Sequence, residues 1–193
     1  MHALPAAPPA PPQRQVFVAT ALAGGAAVML VGGMLAVWIL QRERALDAGT
    51  TWLPEGITIP EVPANVMLIG VWGICVFAQW ASWSARRADR AHTAVALGLV
   101  AVMAVALINA QAYVYVQMGL PLADETGYGA MFFAITGTAI ALFIVGIGYA
   151  GVAAFRFLGG RMADREIVAA HALFWYVLAT VFTAVWLIVY VGK

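Results

Sequence analysis

Hydrophobic residues fall in five long unbroken runs, at residues 16–40, 64–85, 91–116, 128–155 and 167–191, separated by short polar connections. Each run supplies the roughly 20 apolar residues that a helix needs to cross a bilayer. None holds an Asp, Glu, Lys or Arg well inside it. A membrane barrel would instead show alternating strands with turns about every ten residues. The pattern therefore predicts an all-α membrane protein, a bundle of five transmembrane helices forming one domain over residues 16–193.

The cations orient this bundle. Arg14, Arg86, Arg87, Arg90, Arg156, Arg161 and Arg165 lie on one side, and Arg42, Arg44 and Lys193 on the other. The positive-inside rule places the first side, with the N-terminus, in the cytoplasm and the C-terminus outside. Asp124 and Glu125, in a connection without a cation, agree. Trp38, Trp186 and Tyr190 near outer ends, and Trp80 and Trp83 near inner ones, fit aromatic belts.

Residues 1–15, rich in Pro and Ala, predict a largely disordered arm with little to bury. The run that follows is too long for the roughly 7–15 residues of a signal-peptide core, so the first helix is expected to be retained. The connection at 41–63 is the one long enough for structure of its own. In it Trp52 is flanked by Pro54, Pro60 and Pro63, which predicts a fixed strap folded back on the outer surface. No repeat and no matched pair of broken helices suggests an inverted-repeat transporter.

Composition agrees, with 64% hydrophobic residues, 10% charged and a mean hydropathy of +0.90. So few Lys and Arg, all in connections, exclude a basic nucleic-acid surface. Cys75, alone in an apolar run, reads as inert packing. Membrane enzymes and proton carriers keep an ionisable residue in a span because its cost is repaid by use, and here the spans hold only neutral groups. Gln79, Ser82, Asn109, Gln111, Thr136, Thr138, Thr180 and Thr183 read as interhelical hydrogen-bonding residues. His2, His92 and His171 are too scattered for haem or metal ligation and are expected at surfaces or interfaces. No catalytic, cofactor-binding or metal site is predicted. Ala130, Ala134, Gly137, Ala141, Gly148 and Gly151 form a small-residue stripe along the fourth run. Such a stripe lets another helix approach, either within this chain or from a partner.

One stretch carries a resemblance. Residues 128–138, Tyr-Gly-Ala-Met-Phe-Phe-Ala-Ile-Thr-Gly-Thr, are similar to the Tyr-Gly-Ser-x-Phe-Phe-x-x-Thr-Gly-x-His element of cytochrome c oxidase subunit III, in its short five-helix bacterial form. Residues 33–42, the Trp52, Pro54, Pro60 and Asn65 group with Asn65 opening the second helix, Gln111 to Tyr115, and Phe174-Trp175 resemble the same family in the same order. The resemblance implies a non-catalytic accessory subunit of a terminal oxidase in the bacterial cytoplasmic membrane. It would pack on subunit I through its first helices, support assembly, and leave a V-shaped cleft holding phospholipid. Haem and copper would belong to the partner subunits.

The departures are systematic. The family's glutamates fall at Ala27 and Val114, its histidines after Thr-Gly at Ala139 and Leu142, and the last helix's His and Asp at Tyr176 and Ala179. Their loss argues against a role in proton delivery. Arg42, or the group Arg86, Arg87 and Arg90, is expected to meet lipid phosphates, which guanidinium pairs in bidentate fashion; positive-inside anchoring accounts for the same residues. A second function class stays open: a stand-alone carrier with a neutral pore lined by Gln79, Asn109 and Gln111, or an assembly factor on the same fold.

Overall fold

A computed structural model describes residues 14–121, 127–160 and 165–192. Among these residues there are five long helices and no strand: α1 (Gln15–Asp47), α2 (Glu61–Arg86), α3 (Arg90–Met118), α4 (Tyr128–Leu158) and α5 (Arg165–Val185). α5 continues as a π-helical turn at Trp186–Val191. All five are long and apolar enough to cross a membrane. The proline arm up to residue 13, Asp124, Glu125, Arg161 and Lys193 lie outside the described residues.

The helices outrun the apolar segments, because backbone hydrogen bonding does not stop where the lipid does. At 1.5 Å per residue, the 33 residues of α1 make a rod about 50 Å long, against a hydrocarbon core of about 30 Å. Two consequences correct the sequence reading. The first connection shrinks from 41–63 to residues 48–60, and Arg42 sits on α1 rather than in a loop. Asn65 lies inside α2 and does not open it.

α5 is the hub. α1, α2 and α4 all pack on it, α3 closes the far side against α2 and α4, and α1 and α2 barely touch each other. Lipid tails are as apolar as the side chains they would replace, so these contacts rest on close packing. Four glycines permit it. A Cβ on Gly24 of α1 would lie 3.1 Å from Val177 of α5, and one on Gly146 of α4 would lie 2.5 Å from the ring of Trp175. Between α2 and α3, Gly70 and Gly73 make room for Leu107 and Met103.

The α2–α3 turn has a local cost. The Ala88 and Asp89 amides return to the carbonyls of Ala85 and Ser84 at 3.0 and 3.1 Å, a Schellman closure that needs a left-handed residue. Ala88 fills that place with φ of 62°. A left-handed L-residue costs roughly 1–2 kcal/mol, so Ala88→Gly is expected to stabilise the fold by about 1 kcal/mol, seen as a higher thermal midpoint in detergent. Asp89 also caps α3, its carboxylate accepting from His92 N at 3.1 Å and facing His92 Nδ1 at 2.6 Å. The His92 amide holds this carboxyl below its usual range. A lowered folded-state value stabilises above the ordinary carboxylate range of about 3.9 and is lost only below it, so the cap survives mild acid.

Candidate functional site

The stretch that begins at Tyr128 forms the inward face of α4 at the strap end. Tyr128, Phe132 and Thr136 are spaced by four residues, which puts them on one side of a helix, and all three are buried. The Tyr128 ring meets Trp38 of α1 at 4.9 Å and Trp52 of the strap at 5.4 Å, and the two indoles meet at 5.1 Å. Trp52 is only 3% exposed, so the connection is a fixed strap clamped into the bundle. One turn deeper, Phe132 stacks beneath Tyr128 at 6.0 Å and meets Tyr190 at the same distance. Thr136 is bonded to Tyr115 OH at 2.7 Å, and Tyr190 OH donates to Gln111 Oε1 at 2.7 Å. The π-helical turn presents Trp186, whose indole donates to Asn65 Oδ1 at 3.1 Å. Six parts of the chain, α1, the strap, α2, α3, α4 and the end of α5, are thus tied together at one place.

The opposite face of α4 carries the small-residue stripe. Ala130, Ala134, Ala141, Gly148 and Gly151 are exposed and Gly137 half-exposed. A Cβ added at Gly137, Gly148 or Gly151 would meet nothing within 4 Å. The stripe therefore does not pack within this chain. The glycines that do pack internally, Gly24, Gly70, Gly73 and Gly146, were not singled out by spacing; the pairing of Gly146 with bulky Phe174 and Trp175 on α5 is visible only across helices. α1 also shows an open side, with free space beside Gly25, Gly32 and Gly33.

The arginines predicted to meet lipid do not form one group. Arg42 lies near the strap end of α1, while Arg86, Arg87 and Arg90 lie at the other end. Arg87 is laid over the Trp83 ring at 3.8 Å, and Arg90 is exposed at the start of α3. Arg86 curls back towards Ser82, its Nε 3.4 Å from the Ser82 carbonyl. It lines a recess of about 220 Å³ where α1 and α2 diverge across α5, together with Phe17, Gln79, Ser82, Leu173 and Tyr176.

Neutral polar residues divide into two sets. Gln111, Thr136 and Thr183 bond to other helices, Thr183 through the Trp72 indole at 3.0 Å, and Thr138 approaches Met34 Sδ of α1 at 3.9 Å. Asn109 and Thr180 face outward, Thr180 bonding its own helix. Gln79, Asn109 and Gln111 do not converge: Gln79 is in the recess at the arginine-rich end, Asn109 faces away from the bundle and Gln111 is buried near the strap end. His92 is exposed beside Asp89, but His171 is wholly buried, which corrects its expected surface placing. Its partner is the Trp175 indole at 2.9 Å. His2 lies outside the described residues.

Apolar packing fills most positions aligned with the missing ionisable groups. Val114, Ala139 and Ala179 are buried, and Ala27 and Leu142 partly so. Tyr176 faces the recess. Among the described residues no three His, Cys, Asp or Glu side chains gather as a metal-holding group.

An inward aromatic clamp, a helical hub and outward small-residue faces define a multi-pass membrane protein whose distinctive residues serve packing. The chain belongs to the cytochrome c oxidase subunit III family: the family profile matches residues 26–192, from the first half of α1 to the π-helical end of α5. It is accordingly a subunit III of the haem-copper oxidase type. No individual curated protein matches it significantly.

Proposed function

We propose that this chain is a non-catalytic accessory subunit that seats on the haem- and copper-bearing subunit I of a terminal oxidase in a bacterial cytoplasmic membrane, and stabilises the assembled enzyme. The observation that carries this is the open space beside Gly25, Gly32 and Gly33 on α1 and Gly137, Gly148 and Gly151 on α4. Each glycine weakens a helix by about 1 kcal/mol relative to Ala, and no close contact inside the chain repays that. An approaching partner helix would. The apolar filling at Val114, Ala139 and Ala179 supports an assembly role over one in proton delivery.

Phospholipid is proposed to occupy the recess where α1 and α2 part, its phosphate paired with Arg86. Arg87, engaged by Trp83, and Arg90 act as interface anchors, and Arg42 serves the opposite leaflet.

Deleting the chain from its host membrane tests the role. The amount of assembled oxidase per cell should fall several-fold, while turnover per haem in the enzyme that does assemble stays unchanged. Unaltered oxidase content with reduced turnover per haem would refute the assembly role.

A further inference from the structure

At the arginine-rich end, α1, α4 and α5 meet around a histidine that the seating role leaves unused. His171, in the second turn of α5, is 0% exposed. Its Nε2 accepts the Trp175 indole N–H at 2.9 Å, and its Nδ1 has no hydrogen-bond partner. A ring nitrogen that accepts carries no proton, so the ring proton sits on Nδ1. The imidazole meets the Tyr149 ring at 5.5 Å, and Tyr149 OH is bonded to Thr20 of α1 at 2.9 Å. α1 has two other holds nearby. Glu166 accepts the Phe17 amide at 2.9 Å, and Gly24 admits Val177.

We propose that His171, Trp175, Tyr149 and Thr20 form an acid-released latch: a proton placed on Nε2 expels the Trp175 indole and frees the first turns of α1 from the hub. The added proton turns an acceptor into a donor facing another donor, and leaves a cation in a buried site. The groups around the ring offer no compensation. α4 contributes Tyr149 and α1 the Thr20 hydroxyl behind it, and the α2 group held at Trp175 is the Cys75 thiol, which donates to the Trp175 carbonyl at 3.4 Å. On α5 itself the ionisable neighbour is Glu166, whose carboxylate is committed to Phe17. A buried charge without a close partner is costly, and the contact with the Tyr149 ring offsets only part of that cost. The inference concerns the isolated chain and does not depend on the oxidase partner.

Hydrogen exchange of the α1 amides at residues 17–24, in detergent at pH 7.5 and 4.5 and corrected for intrinsic rates, tests it. The native chain should lose about tenfold of its protection at the lower pH. His171→Gln, which keeps an acceptor without a titrating ring, should lose none, and Glu166→Gln should behave as native. Equal loss in native and His171→Gln chains, or loss abolished by Glu166→Gln, would overturn the latch. Should His171→Gln not fold, the indole N–H resonance of Trp175 in the native chain decides: it should move between these two pH values, and a resonance that stays fixed refutes the proposal.

Discussion

Trp38→Ala is expected to destabilise the folded chain by about 3 kcal/mol, at the lower end of the range for deleting a buried aromatic ring. The magnitude follows from where the ring sits. In the middle of a bilayer, lipid can replace lost apolar contact at little cost. Trp38 is 0% exposed near the strap end, under a connection that leaves the membrane, and it holds both Trp52 and Tyr128 within about 5 Å. Its removal leaves a cavity that water borders, and it releases the strap. Two observables should change together in detergent: the thermal midpoint falls, and proteolysis within residues 48–60 speeds up. A Trp38→Ala chain with a native midpoint and a protected strap would mean that the clamp contributes no stability.

Two glycines on one helix should answer oppositely to the same change, and this is the second large effect. Gly146→Leu places a Cβ 2.5 Å from Trp175 Cζ2 and 3.0 Å from Phe174 Cε1. At neutral pH the Trp175 ring is held by its stack on Phe143 at 6.1 Å and by its bond to His171, so it yields only by giving up both. Overpacking of this kind costs about 3 kcal/mol, and the substituted helix would stand off from α5. Gly148→Leu, two residues on, meets open space and should leave the isolated chain as stable as before, or better by up to about 1 kcal/mol through helix propensity. In the native membrane the order changes: Gly148→Leu should fold yet lose most of its association with the oxidase. A Gly148→Leu chain that folds and associates as native would remove α4 from the proposed interface.

The contrast between these glycines marks what was legible in the sequence. Five spans could be read because a membrane helix needs a continuous apolar run, a one-dimensional signal. The helix ends could not, since α1 keeps its hydrogen bonding through Arg42, Glu43 and Arg44 well after its apolar run has ended. The spacing of small residues was legible as a stripe but not as an outward stripe. Its direction depends on which face of α4 finds α3 and α5, and Phe132, Ile135, Ala139 and Phe143 decide that from the other side. Polar contacts were half legible. Gln111, Thr136 and Thr183 stood out as polar residues in apolar runs, but their partners Tyr190, Tyr115 and Trp72 could not be picked out, because their donors are single atoms on large rings. His171 was misplaced for a related reason. Its position one turn into a helix suggested an interface, and only the packing of α4 against α5 shows that the ring is enclosed.

The residues at Tyr128 to Thr138 also change meaning once their surroundings are known. As a motif they mark the subunit III family. As side chains, Tyr128, Phe132 and Thr136 fasten the strap and three helices to α4, and the positions that follow, Ala139 and Leu142, take part in apolar packing. The proposed role of the chain is therefore assembly with a partner that would hold the redox centres. Capturing a tagged copy of this chain from its native membrane in mild detergent, and recording the visible spectrum of what comes with it, tests that most directly. Haem absorbance rising in proportion to the captured chain is the predicted result; colourless material free of oxidase subunits would contradict it.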